Sequence, residues 1–123
     1  MSNPFTYAEL HTQDPAAAKA FYGRLFDWKM EDHENPQGTY TEIAPGEGFP
    51  AGMLKAAAPV AATTSTSLWM PYMRVDDVLA ATALAKSLGA KPVMEGVEIP
   101  EGVFSTLLDP TGAPFGLFKP SKR

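Results

Sequence analysis

Apolar residues fall into two alternating spacings along this chain. Phe5-Thr6-Tyr7-Ala8-Glu9-Leu10 reads as a strand. Asp14-Pro15 follows, an N-cap residue and a proline suited to the first helical position. Ala18, Phe21, Tyr22 and Leu25 then recur at i, i+3, i+4 and i+7, an apolar stripe on a helix running to about Phe26. Three short strand candidates come next, near 28–31, 39–43 and 51–56. Asn35-Pro36-Gln37-Gly38 and Pro45-Gly46-Glu47-Gly48 separate them as turns. The order then returns. Trp69 to Val75 reads as a strand, and Asp76-Asp77 can cap a helix carrying Ala81, Leu84, Ala85 and Leu88 at the same spacing. Gly89 supplies its left-handed stop. Strands near 91–94, 103–108 and 115–119 complete the chain.

A shift of 64 residues superimposes the two halves. Gly38 falls on Gly102, Gly48 on Gly112, Pro50 on Pro114, Gly52 on Gly116 and Lys55 on Lys119. Tyr40 falls on Phe104 and Ile43 on Leu107. Glycine and proline fix backbone geometry, so their coincidence speaks for shared turns. The predicted fold is α+β, two βαβββ modules in pseudo-repeat within one domain, 1–123. Module one covers about 4–56, an Ala/Thr/Ser-rich linker 57–67, and module two about 68–119. One helix covers only one face of a four-stranded sheet. Two curved, mostly antiparallel sheets would therefore pair and enclose a cavity, the natural binding site.

Composition narrows the partners. The chain has 123 residues, 45% hydrophobic and 20% charged, which is globular. Ten basic against 14 acidic residues give a net charge of -4, which argues against a nucleic-acid partner. There is no cysteine, hence no disulfide, thiolate metal site or cysteine nucleophile. No apolar run approaches the roughly 20 residues that span a bilayer, and Met1-Ser2-Asn3-Pro4 lacks signal-peptide character. A cytoplasmic protein without a membrane partner is expected.

Two motifs are more specific. Asp14 is followed by Phe21-Tyr22 and Leu25-Phe26-Asp27-Trp28. Leu108-Asp109-Pro110-Thr111-Gly112-Ala113-Pro114-Phe115 precedes the last strand. With these runs, residues 4 to 119 resemble the glyoxalase/bleomycin-resistance/dioxygenase superfamily, the vicinal oxygen chelate proteins. The resemblance implies that each module gives a metal one ligand from its first strand and one from its last. Counted from the motifs, those positions are Tyr7, Gly52, Met70 and Gly116; a register slip would replace Met70 by Pro71 or Tyr72. These residues are not a usable ligand set, so neither metal nor cofactor is expected. The resemblance also implies a homodimer, which the exposed linker with Pro59-Val60 could help to form.

Strand alternation puts Phe5, Tyr7, Glu9 and His11 on one face, and Met70, Tyr72 and Arg74 on another. Tyr7, Glu9, Tyr72, Arg74, Trp69 and Met70 are the ligand-binding candidates. Buried charges require partners, so Glu9 and Arg74 either pair with each other or anchor a polar ligand. Glu9 and His11 are candidate general bases. Trp28, Tyr40, Phe49 and Phe104 supply stacking surface or core, and Met53, Met73 and Met94 an adaptable lining or core. An alternative metal site would use Glu42, His11 or His33. The leading expectation is a metal-independent protein that binds a small organic molecule. The alternative is a glyoxalase-like lyase or isomerase acting on a carbonyl compound. In it Glu9 or His11 is the base, and Arg74 or a tyrosine hydroxyl stabilises an enolate.

Overall fold

A computed structural model describes residues 2–36, 38–56 and 67–121. The elements are β1 (Phe5–Thr12), α1 (Pro15–Leu25), β2 (Lys29–Asn35), β3 (Gly38–Ala44), β4 (Ala51–Lys55), β5 (Leu68–Arg74), α2 (Val78–Ser87), β6 (Lys91–Ile99), β7 (Gly102–Leu108) and β8 (Pro114–Pro120). The fold is α+β, and βαβββ occurs twice. Most of the expected linker, 57–66 with Pro59-Val60, lies outside the described residues.

The chain forms two compact units. One spans Tyr7–Met70; the other runs from Pro71 onward and includes the residues up to Thr6. The strand order in the first is β2-β3-β4-β1, and β5-β8-β7-β6 is its counterpart in the second half. The outer pairings are antiparallel, whereas β1–β4 and β5–β8 are parallel. The two halves therefore repeat in topology as well as in sequence.

Both helices start at the aspartates that the sequence marks. Asp14 accepts from the backbone N–H of Ala17 at 3.0 Å, with Pro15 just inside the helix. Asp77 accepts from the N–H of Ala80 at 3.0 Å. Gly89, at φ 106°, ends the second helical segment. In the first unit Leu10, Ile43, Ala51 and Met53 form the core, and Ala8, Ala18, Tyr22, Trp28 and Met30 pack on it.

The helix faces differ from the expected stripes. On α1, Ala18 and Tyr22 meet the core, but Phe21 and Leu25 are more than half exposed. On α2 the buried residues are Val78 and Thr82, whereas Leu84 and Leu88 face water. The reason is polar. The Thr82 hydroxyl donates to the Val78 carbonyl at 2.6 Å and lies 2.8 Å from Ser105 Oγ, which also accepts from the Gly96 N–H at 2.9 Å. A buried hydroxyl needs such partners, and this network holds α2 on its threonine rather than its leucine side.

Candidate functional site

The site begins with the alternation of β1. Ala8 and Leu10 face α1 and the core. Tyr7, Glu9 and His11 therefore share the opposite face. On that face Gly52 of β4 is paired with Glu9 of β1 on one side and with Glu42 of β3 on the other. A Cβ at Gly52 would collide with the hydroxyls of Tyr40 and Tyr7. The missing side chain lets Tyr40 reach from β3 across β4 to β1.

Three hydrogen bonds join what this crossing brings together. Tyr40 Oη donates to Glu9 Oε2 at 2.8 Å. The hydroxyls of Tyr7 and Tyr40 lie 2.5 Å apart. Tyr40 has one proton and gives it to Glu9, so Tyr7 is the donor to Tyr40. His11 Nε2 lies 2.8 Å from Glu9 Oε1. The His11 and Glu9 side chains are only 17% and 14% exposed, so this pair is little screened by water. Burial first, then the charge of Glu9 and the neighbouring Tyr7, push the Tyr40 phenol far above its ordinary range. Both effects favour the neutral, donating form of Tyr40.

Module two carries a related but apolar arrangement. Tyr72 of β5 is paired with Gly116 of β8, and a Cβ at Gly116 would run into the Tyr72 ring. Phe104, the repeat partner of Tyr40, meets Tyr72 edge to face at 6.2 Å between centroids. Tyr72 rather than Met70 thus stands over Gly116, the two-residue slip that the counted register left open. Met70 is buried two residues earlier. The Arg74 backbone N–H donates to the Pro4 carbonyl at 2.9 Å, and its carbonyl accepts from Asn3 at 2.8 Å.

The remaining candidates are placed as follows. Trp69 joins α1: its indole N–H donates to Tyr22 Oη at 3.1 Å, and its ring lies edge-on to Tyr22 and Trp28. Met53 is core, while Met94 and Phe49 are exposed. Within the first unit, Glu9 Oε1 meets His11 and Glu9 Oε2 accepts from Tyr40. Tyr40 was legible only as stacking surface or core. The signal for its site role was Gly52 in a short strand opposite it, which has meaning only once β4 is known to lie between β3 and β1.

Glu31, His33 and Glu42 offer ligand atoms within 4.8 Å of one another on β2 and β3, the one such trio among the described residues. His33 Nε2 lies 3.1 Å from Glu42 Oε1, with the two side chains 47% and 55% exposed. Of the alternative metal residues read from the sequence, Glu42 and His33 thus come together with Glu31, whereas His11 is bonded to Glu9. With Tyr72 in place of Met70, the four positions implied by the resemblance contain two phenols, one of them hydrogen-bonded to Tyr40, and two glycines. That donor chemistry does not fit a divalent cation.

Comparison with known proteins gives a consistent picture. The family model for the glyoxalase-like domain matches residues 7–118. The chain is 32% identical over 119 residues to proteins named "Putative glyoxylase CFP32" from Mycobacterium bovis and Mycobacterium tuberculosis. The match takes in 94% of this chain and 45% of theirs, so the chain spans about half the length of these curated relatives. Among solved structures, hypothetical protein BH1468 from Bacillus halodurans has a TM-score of 0.74 at 13% identity, covering 100% of this chain and 98% of its own. Methylmalonyl-CoA epimerase from Mycobacterium tuberculosis has a TM-score of 0.68 at 14% identity, covering 95% and 87%. At such identities the likeness is one of fold. With the βαβββ repeat, the family match over nearly its whole length and these neighbours, the chain belongs to the glyoxalase-like family of the vicinal oxygen chelate superfamily.

Proposed function

We propose that this chain is a glyoxalase-like protein that has lost the family metal site and binds a small organic molecule. One observation carries the reading: the space a side chain at Gly52 would need is filled by the hydroxyls of Tyr7 and Tyr40. A metal ligand there would require both tyrosines to move. Gly116 beneath the Tyr72 ring supports the same reading from the second module. The face that receives the ligand in this proposal is that of Tyr7, Glu9, His11 and Tyr40. It combines two aromatic rings with a carboxylate and an imidazole, a mixed apolar and polar lining suited to a small organic molecule.

The test is a thermal-shift screen of the wild-type chain against metabolites, thiol adducts and cationic antibiotics. A compound that binds only the native state raises Tm, by linkage about 2.7 kcal/mol at a hundredfold excess over Kd. A hit that Tyr7→Ala and Tyr40→Phe both weaken supports the face. A hit that neither weakens places binding elsewhere. We also propose a homodimer, as the resemblance implies. Light scattering should then give about twice the 13.2 kDa of one chain, and a stable monomer at high concentration would contradict it.

A further inference from the structure

We infer that His11 is a general base, held in one tautomer by Glu9, and that the module-one face carries a metal-independent proton-transfer activity. This rests on the proposal that the same face receives the ligand. An ionised Glu9 has only acceptors. The 2.8 Å contact between its Oε1 and His11 Nε2 therefore needs the hydrogen on Nε2. A neutral imidazole carries one N–H, so Nδ1 keeps its lone pair. Among the described residues no hydrogen bond takes up that lone pair, and no buried side-chain nitrogen or oxygen is left without a partner. Nδ1 is thus open to solvent or to a ligand.

The carboxylate is fixed as well as close. Its second oxygen accepts from Tyr40 at 2.8 Å, and Tyr40 is held in turn by Tyr7. Glu9 and Tyr40 are positioning residues here; His11 is the group that meets the proton. On neighbouring β4, the residues level with Glu9 and His11 are Gly52 and Leu54, which carry no charge. The chain also contains its own control. His33 and Glu42 form the same kind of pair at 3.1 Å, but with side chains 47% and 55% exposed rather than 17% and 14%. Exposure screens the carboxylate and leaves both side chains free to rotate.

The step is balanced without a co-reactant. Nδ1 takes a proton from a small, weakly acidic molecule, and the bond pair stays on that molecule. The imidazolium stays paired with Glu9, and the proton returns to the product. The substrate class is therefore a compact neutral acid with an activated C–H, N–H or O–H bond.

5-Nitrobenzisoxazole is a probe that does not depend on the natural substrate. A base removes its ring C–H proton as the N–O bond opens to a nitrile and a coloured phenolate. The wild-type chain should open it faster than free imidazole at equal concentration. His11→Gln keeps an N–H for Glu9 but has no basic nitrogen, and should lower the rate about 100-fold. His33→Gln should leave the rate unchanged. The ¹⁵N shifts of His11 should report the Nε2–H tautomer in the wild type and a mixture in Glu9→Gln, a signature that a purely structural Glu9 would not move. The inference is overturned if His11→Gln is as fast as the wild type, if the wild type is no faster than imidazole, or if His11 is mainly Nδ1–H. If the probe fails while thermal-shift hits still depend on Tyr7 and Tyr40, only the base is lost. If those hits fail too, the face itself was misread.

Discussion

Gly52 shows how one residue organises its surroundings by what it lacks. Its backbone needs no unusual φ; what it provides is the space in which Tyr40 crosses β4. Gly52→Ala should therefore destabilise the fold by about 1–3 kcal/mol through overpacking, read as a lower urea midpoint. A midpoint equal to the wild type would mean that the tyrosines move aside freely. Tyr40→Phe keeps the ring but removes the donor to Glu9 and the acceptor for Tyr7. It should cost about 1–3 kcal/mol, because both partners are partly buried. Strand alternation alone already placed Tyr7, Glu9 and His11 on one face. Tyr40 was not legible as their partner, since it is 31 residues from Glu9 in sequence and two strands away in the sheet.

At the scale of elements, local chemistry was most legible where it fixes backbone groups. Both helix starts follow from a capping aspartate. Asp77→Ala should cost about 1 kcal/mol, visible in denaturant unfolding, and an unchanged stability would show that the bond to Ala80 is not formed in solution. Two strands proved longer than their patterns. Readings near 28–31 and 91–94 became Lys29–Asn35 and Lys91–Ile99. Both occupy an outer position in their strand order and are largely exposed, so hydrogen bonding to one neighbour holds them without apolar alternation. The turn before β8 is held by Asp109, whose Oδ1 accepts from Thr111 N–H at 2.8 Å, Thr111 Oγ1 at 2.7 Å and Ala113 N–H at 3.0 Å. The Thr111 hydroxyl and then these backbone donors hold its carboxyl below the usual range, as the bonds to Lys19 and Thr41 do for Asp32. A depressed native value means that the unfolded chain binds the proton more readily. The contribution is complete above the ordinary aspartate value of 3.8 and is lost as pH falls through the lower native one. Stability should decline on acidification below about pH 4, and Asp109→Asn should shrink that decline. An equal decline in the variant would contradict the assignment to Asp109.

For the whole molecule, the repeat was the most informative feature of the sequence. The 64-residue shift carried over into topology: β1–β4 and β5–β8 are both parallel, and each places a glycine beneath an aromatic side chain. What the repeat did not carry over is polarity. Module one gathers Tyr7, Glu9, His11 and Tyr40 where module two has Tyr72 and Phe104, so chemistry concentrates in one half. The helix faces were misjudged for a reason that also lies beyond the local pattern. Thr82 is buried because Ser105, 23 residues on, supplies its partner. Among the described residues no helix is long and apolar enough to cross a membrane.

The central claim, that this family member works without the family metal, is tested most directly by elemental analysis of the purified chain. The proposal predicts far less than one transition metal per chain, with added Zn²⁺, Ni²⁺, Mn²⁺ or Fe²⁺ conferring no glyoxalase activity. About one tightly held transition metal per chain, retained through dialysis and lost together with ligand binding on chelation, would contradict it.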